Sequence, residues 1–187
     1  VRDALLIVDD FRRGDTPKEQ NQLQSQAAVL LRSIGNQSGK DRASRSLRHR
    51  PQRRPQGVVA VTAECLPEGL SNNARLFPAM LPRYVVDVEQ LTQAQRRREL
   101  LPLAMAGFVL WIAQHWAELE HELLPRFHQL RQQLAQEDVE GRAVSQLPHL
   151  FLAWEVWLRF ALEAGACTRD EAERLLTETW QALTELL

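Results

Sequence analysis

Two adjacent carboxylates, Asp9 and Asp10, follow an apolar run near the beginning of the chain. The run from Leu5 to Val8 is continuous rather than alternating, which is typical of a strand covered on both faces. In open α/β sheets, ligands bind beyond the carboxyl ends of the strands. Two carboxylates at such an end suit Mg²⁺ and the activation of a water molecule. The pattern therefore predicts a buried strand that ends in a candidate Mg²⁺ site.

A second strand is predicted over 57–64, where a Val-rich run is bounded by turn residues. It ends in the polar residues Thr62 and Glu64, and we expect it to lie beside the Asp9–Asp10 strand. A polar side chain in that position can orient an attacking water or contact a γ-phosphate. Ordinary polarity at a strand end is the alternative. Arg75 follows shortly afterwards, either as a surface residue or as a group that reaches the γ-phosphate of a neighbouring subunit.

The segment that joins the first helix to this second strand is strongly basic. Between residues 40 and 56 the only acidic side chain is Asp41. Its cationic residues are Lys40, Arg42, Arg45, Arg48, Arg50, Arg53 and Arg54. Such a density of guanidinium groups suits a phosphate backbone, and the lack of Phe, Trp and Tyr argues against base stacking. A nucleic-acid contact, an inter-subunit loop and a solvated, disordered loop all remain open.

The surrounding elements divide the chain near residue 88. Thr16 and Pro17 are a typical helix start, and this helix is predicted to end near Ile34. Tyr84–Val88 is predicted to be a third strand. Helices are then expected over 89–98 and over 102–124, with a break or a kink at Pro125 and a charged helix continuing to about residue 137. Further helices are expected over 146–164 and from the Thr168–Glu171 capping box to about 186. We expect an α/β region over 1–88, an all-α domain over 89–187, and a mainly helical chain overall.

Composition restricts the class of protein. The chain has 187 residues and a net charge of −1, and its two cysteines, Cys65 and Cys167, are too far apart in sequence to indicate a zinc site or a disulfide framework. The longest apolar run, 100–113, is shorter than the ~20 residues of a membrane span. We therefore expect a cytoplasmic protein without a membrane partner. Because Val1 leads directly into a core strand, we also expect a fragment of a longer polypeptide.

The order of these elements resembles the later part of the ATPase domain in primase–helicase proteins of phages and mobile elements. The resemblance is carried by Leu-Leu-Ile-Val-Asp9-Asp10-Phe, which is similar to a Walker B segment, then by the basic loop and by Val-Thr62-Ala-Glu64 and Ser-Asn-Asn-Ala-Arg75-Leu. That group is close to the superfamily 3, AAA+-like helicases and to the helicase-like "domain of unknown function 927". The resemblance covers residues 3–88 well and residues 89–187 only loosely.

The resemblance implies a partial P-loop NTPase core with parallel strands, followed by a helical domain. By position, Asp9 would be the acid linked to Mg²⁺, and Asp10 the acid that polarises water. Thr62 or Glu64 would lie at the sensor position, and Arg75 would be an arginine finger. The implied activity is ATP hydrolysis coupled to DNA translocation by a ring of like subunits. The family more often has Asn at the sensor and Glu as the second acid.

The chain contains no Gly-x-x-x-x-Gly-Lys-Ser/Thr sequence, which cradles and neutralises the phosphates of a nucleotide. ATP and Mg²⁺ are therefore expected only in the intact parent protein, completed by a P-loop-bearing upstream segment of the same polypeptide. The competing hypothesis is a non-enzymatic module that binds nucleic acid or oligomerises, with structural carboxylates. The two hypotheses differ in where Asp9 and Thr62 lie. The ATPase requires them together at an exposed sheet edge, and it fails if they point away from each other or lie buried in ion pairs.

Overall fold

The computed structural model of the chain describes residues 5–36, 57–73, 75–82, 84–136 and 143–185. Helices account for 69% of these residues, and a small two-stranded parallel sheet accompanies them. The chain divides into two compact units, Val1–Pro78 and Ala79–Leu187. We call them the N-terminal unit and the C-terminal unit. A mainly helical chain with parallel strands is thus confirmed.

The N-terminal unit contains β1 (Leu6–Phe11), α1 (Pro17–Gly35), β2 (Val59–Ala63) and the short α2 (Leu70–Asn73). The strands pair in parallel, with Leu6 opposite Val59 and Val8 opposite Val61. Helix α1 begins where Thr16 and Pro17 predict it, because the Thr16 side chain accepts a hydrogen bond from the amide of Glu19. The parallel pairing brings the carboxyl ends of β1 and β2 to the same edge.

The strands are less covered than their sequences predict. Ile7 is 63% exposed, and the alternating Leu6 and Val8 are only half-buried. No residue of β1 or β2 is fully buried in the described structure. The prediction of a strand covered on both faces is therefore wrong. A continuous apolar run shows only which side chains a strand carries. Covering both of its faces requires further elements, and the described part of the chain forms a sheet of two strands.

The C-terminal unit contains five helices in its described part. They are α3 (Val88–Arg96), α4 (Leu100–Gln114), α5 (Trp116–Gln136), α6 (Ala143–Glu163) and α7 (Arg169–Glu185). Two apolar clusters hold α4 to α7 together. One is built on Trp111, Leu119 and Val156, and the other on Leu130, Phe151 and Leu152 with Trp180 against them.

Two ion-pair sets join α5 to α6 alongside these clusters. Arg126 contacts Glu155 at 2.7 Å, and Arg159 contacts Glu118 at 2.6 Å and Glu122 at 2.9 Å. All of these side chains keep some contact with solvent, so the pairs contribute little energy beside the apolar core. They do fix which faces of α5 and α6 meet.

Residues 84–88 do not form the predicted strand. They form a turn and a bend, and Val88 is already the first residue of α3. The Asp87 side chain accepts hydrogen bonds from the amides of Glu89 and Gln90, which caps the helix. With Tyr84 90% exposed, this Val-rich segment has no neighbouring strand to pair with in the described structure. The local cap therefore decides its conformation.

The long helix is interrupted at His115 and not at Pro125. Helix α5 continues through Pro125, whereas α4 and α5 meet at 87° around His115. Both the amide and Nδ1 of His115 lie within hydrogen-bond distance of the Trp111 carbonyl, at 3.0 and 2.9 Å. No single described helix is long and apolar enough to cross a membrane, and the one helix pair that would suffice in length and composition is this bent one.

Helix α7 begins with the predicted capping box. The Thr168 hydroxyl accepts a hydrogen bond from the Glu171 amide at 3.3 Å, and the Glu171 carboxylate accepts one from the Thr168 amide at 2.8 Å. The backbone hydrogen bond from Thr168, followed by the one from its hydroxyl, lowers the pKa of Glu171. Because the folded-state pKa is depressed, this stabilisation is present above the ordinary glutamate pKa. It is lost as the pH falls through the lowered value.

We expect Glu171→Gln to remove this pH dependence while keeping the cap, since glutamine also serves in a capping box. Urea unfolding followed by tryptophan fluorescence reports on this unit, because all five tryptophans lie in it. Between neutral and acidic pH, the wild-type chain should lose more unfolding free energy than Glu171→Gln. Equal losses in the two proteins would contradict the assignment.

Candidate functional site

Asp9, Asp10 and Thr62 meet at the carboxyl end of the two strands. The Thr62 hydroxyl accepts a hydrogen bond from the Asp10 amide at 2.9 Å and donates one to the Asp9 carboxylate. All three residues are exposed. The structure thus brings together three of the predicted site residues at an open sheet edge, where a ligand has access.

The backbone at this point is irregular in a specific way. Val8 pairs with Val61 and Phe11 pairs with Ala63, so two residues of β1 lie opposite Thr62 alone. This is a β-bulge, and Asp10 within it has a φ of 60°, in the left-handed region. Aspartate tolerates this conformation better than most residues do, but it is still uncommon outside glycine. The bulge turns two consecutive carboxylates out of the regular alternation of the strand.

Glu64 lies next to this group without a described side-chain contact. Its amide donates to the Phe11 carbonyl at 3.0 Å, which extends the pairing one step beyond β2. Its side chain is exposed. Glu64 is therefore placed at the same edge as Asp9, Asp10 and Thr62, and its carboxylate has no partner among the described residues.

The structure does not bring Arg75 to this edge within the same chain. Its guanidinium group donates to the carbonyl and hydroxyl of Ser71, and at 3.3 Å to the side chain of Asn36. Asn36 caps the end of α1, and α1 has 19 residues. A helix of that length spans about 28 Å. Arg75 is thus held at the end of α1 that is remote from the turn after β1.

The turn between β1 and α1 contains residues that the sequence alone does not predict to be part of the site. Arg12 contacts Asp15 at 3.1 Å and Glu19 at 3.3 Å. The hydrogen bond and charge of Asp15, followed by the charge of Glu19, raise the pKa of Arg12. The Gly14 amide donates to the Gln20 side chain at 2.7 Å. The signal for this turn in the sequence is Gly14, which lies between the strand that ends in carboxylates and the capped start of α1.

A cleft of ≈ 530 Å³ opens beside the turn. Its walls are the turn itself, the first turns of α1 and the segment 65–68 after β2. The Glu68 amide donates to the Gln24 side chain at 2.8 Å, which ties that segment to α1. The cleft therefore lies where α/β proteins hold ligands, outside the carboxyl ends of parallel strands.

The donor set limits what kind of metal site is possible. Among the described residues, no group of three or more His, Cys, Asp or Glu side chains is placed to hold a metal ion. Asp9 and Asp10 offer two carboxylates, which falls short of a cage built by the protein alone. Mg²⁺ in phosphate-transfer sites typically takes one or two carboxylates, with phosphate and water as its other ligands. The pair fits that second kind of site.

The seven cationic residues of the basic loop, from Lys40 to Arg54, lie outside the described residues. Their predicted role rests on the sequence. The chain matches no protein-family model, no curated protein and no solved structure in the comparisons made with each.

We expect Gly14→Ala to displace the turn that lines the cleft. A Cβ at Gly14 would lie 2.3 Å from the Gln20 amide nitrogen and 2.7 Å from its Cα, so backbone must move. Such overpacking costs roughly 1–3 kcal/mol. The amides of β1 and β2 should then exchange their hydrogens faster than in the wild-type chain. Hydrogen exchange is the suitable measurement because the N-terminal unit has no tryptophan whose fluorescence could report on it.

Gly107→Ala is the matched control. The new Cβ would lie 3.5 Å from the Phe160 ring, an ordinary contact, and alanine is a better helix former than glycine. Protection of β1 and β2 should be unchanged in this variant. An equally unchanged exchange pattern in Gly14→Ala would contradict the close packing of the turn.

Proposed function

We propose that this chain is the Walker B-containing part of a DNA-dependent ATPase of the primase–helicase type that replicates a mobile element. The observation that carries the proposal is the exposed Asp9–Thr62–Asp10 group at the carboxyl ends of two parallel strands. A Walker B origin requires the acids and the sensor residue to meet at one open edge. The alternative arrangement, with Asp9 and Thr62 apart or buried in ion pairs, is not what these two residues form.

In this proposal, each residue at the edge has a distinct task. Asp9 holds the Mg²⁺ of a bound ATP, and Asp10 aligns the attacking water. Thr62, at the sensor position, fixes both acids: its hydroxyl restrains the Asp9 carboxylate and the Asp10 backbone at once. Glu64 is the further carboxylate available to water. The bound Mg²⁺ would offset the charge of the phosphates during transfer.

The chain alone is not expected to hydrolyse ATP, because it has no P-loop sequence. A P-loop-bearing segment of the same polypeptide would supply the phosphate cradle. Arg75 would act on the site of a neighbouring subunit in a ring, because its own chain holds it at the far end of α1. Its hydrogen bonds to Ser71 and Asn36 would have to break for that, since they occupy the guanidinium group.

DNA is the proposed partner of the basic loop. In the sequence, the loop lies between α1 and β2, and β2 is the strand that carries Thr62. Its arginines suit a phosphate backbone irrespective of base sequence.

A non-enzymatic module is the second candidate function. It is favoured by the Thr62 hydroxyl itself, whose donated and accepted hydrogen bonds are both used within the bulge. In that case Asp9 is a structural acceptor that stabilises the bulge, and nucleic-acid binding by the basic loop would be the function.

Without the phosphates of a nucleotide, this chain should bind divalent cations only weakly, and we expect Asp9 to dominate that weak binding at the strand ends. Mn²⁺ can replace Mg²⁺ as a paramagnetic probe, and it should broaden the amide resonances of Asp10, Phe11 and Glu64 first. Asp9→Asn should weaken this effect by roughly tenfold or more, as loss of a ligand does. Asp15→Asn, which removes a carboxylate from the adjacent turn, is the control and should change it little. Broadening that is insensitive to Asp9→Asn would favour the non-enzymatic module.

We expect Arg53→Gln combined with Arg54→Gln to weaken DNA binding and its salt dependence. Each lost phosphate contact lowers the slope of log affinity against log salt by about 0.7 on single strands and about 0.9 on duplex. Fluorescence anisotropy of a labelled oligonucleotide across a salt series measures both quantities. Arg131→Gln with Arg169→Gln removes the same charge from exposed helix positions and should leave the slope unchanged. Identical slopes in all three proteins would exclude the loop as the contact.

A further inference from the structure

The C-terminal unit has an apolar projection, which we call the arm: residues 87–110, comprising Asp87, α3, the turn at 97–99 and α4 as far as Leu110. Among the described elements of the unit, α3 packs on no other helix. The residues at the start of α4, 100–106, are exposed around the whole helix. The C-terminal part of α4 is instead fixed on α6, where Phe108 meets Trp157 edge to face at 4.9 Å.

The exposed side chains of the arm are large and apolar. In α4 they are 52–68% exposed, and they are Leu100, Leu101, Leu103, Met105, Val109 and Leu110. In α3, Val88 and Leu91 are also exposed. A helix that is apolar on all sides is normally buried, and a continuous apolar patch of this size marks an interaction surface.

The charges of the arm show what kind of partner fits. Asp87 and Glu89 lie at the start of α3, and Arg96, Arg97 and Arg98 lie at its end, followed by Glu99. Three acids and three arginines give the arm no net charge, so it has no net electrostatic attraction to an anionic membrane surface. The two ends of α3 nevertheless carry opposite charge. A second α3 in antiparallel orientation would place acids opposite arginines at both ends.

We propose that the arm is a self-association surface and that its partner is the arm of a second copy of this chain, paired antiparallel about a two-fold axis. An interface of this kind is self-complementary, since each copy presents the same patch. Burial of a side chain of this size removes roughly 100 Å² of apolar area. Because the six exposed apolar side chains lie on all sides of α4, one partner arm covers about three of them in each copy. Together with Val88 and Leu91 of α3, the two copies then bury roughly 1,000 Å², which is the lower limit of a specific interface. The proposal does not depend on the ATPase assignment, because all its residues lie in the C-terminal unit.

The first test is the oligomeric state of the full chain by sedimentation velocity between roughly 1 and 100 μM. We expect a dimer with a dissociation constant of about 10 μM or lower. Leu101→Glu with Leu103→Glu should raise that constant by about 100-fold or more. Leu124→Glu with Leu150→Glu places the same charges on exposed positions of α5 and α6 and should leave the dimer intact. Circular dichroism checks that each variant keeps its helix content.

The second test addresses the antiparallel arrangement. Glu89→Arg and Arg97→Glu should each weaken the dimer by roughly three- to tenfold, because each puts like charges opposite one another. An equimolar mixture of the two variants should regain wild-type association, since opposite charges then meet at both ends of the heterodimer. A mixture as weak as its components would overturn the antiparallel pairing.

Two further results would overturn the proposal as a whole. One is a chain that remains monomeric at ~100 μM. The exposed apolar area of the arm would then not be buried between two copies. The other is a monomer that binds phosphatidylcholine–phosphatidylglycerol vesicles and loses that binding in Leu101→Glu with Leu103→Glu. That outcome would identify a lipid surface as the partner in place of a second copy.

Discussion

The parallel pairing of β1 with β2 is the constraint on which the candidate site depends. Parallel strands need a crossover, and α1 provides it between Pro17 and Gly35. The crossover returns the chain so that both strands end at the same edge, although Asp9 and Thr62 are 53 residues apart in sequence. An antiparallel hairpin would have put the acids and the threonine at opposite edges. The chemistry proposed for this edge is therefore a consequence of topology first and of residue type second.

The C-terminal unit is held by a different kind of constraint. Aromatic rings from α4 and α6 interlock around Phe108, with Phe160 at 5.5 Å and Trp157 at 4.9 Å. The indole of Trp111 also donates to Glu163 at 2.6 Å, so a partly buried polar group is satisfied within the same contact. This contact covers the C-terminal part of α4 and leaves its beginning exposed. The apolar character of the whole helix is thus only half explained by the unit's own core.

The sequence predicts best those features that local chemistry decides. The N-cap at Thr16, the capping box at Thr168 and the positions of most helices are confirmed, because each depends on neighbours a few residues away. Features that depend on partners distant in sequence are predicted less well. Residues 84–88 have the composition of a strand but no strand beside them in the described structure, and Pro125 is tolerated where α5 packs on α6.

The same distinction applies to the candidate site. The residue types at Asp9, Asp10 and Thr62 indicate a polar edge, and the structure places them together. Nothing in the sequence predicts the bulge or the left-handed backbone at Asp10, because both arise from the mismatch in pairing between the strands. The tethering of Arg75 to Asn36 is equally invisible, since it needs the end of α1 and the segment after β2 to meet in space.

The left-handed conformation of Asp10 implies a compromise between stability and chemistry. At a φ of 60°, glycine avoids the steric penalty that every side chain with a Cβ incurs. A chain shaped for stability alone would gain from glycine at this position. Keeping a carboxylate there holds the N-terminal unit below its attainable stability, as strained residues at functional positions commonly do. By this reasoning, Asp10 is a position where adaptation to a warmer environment would conflict directly with the chemistry proposed for the site.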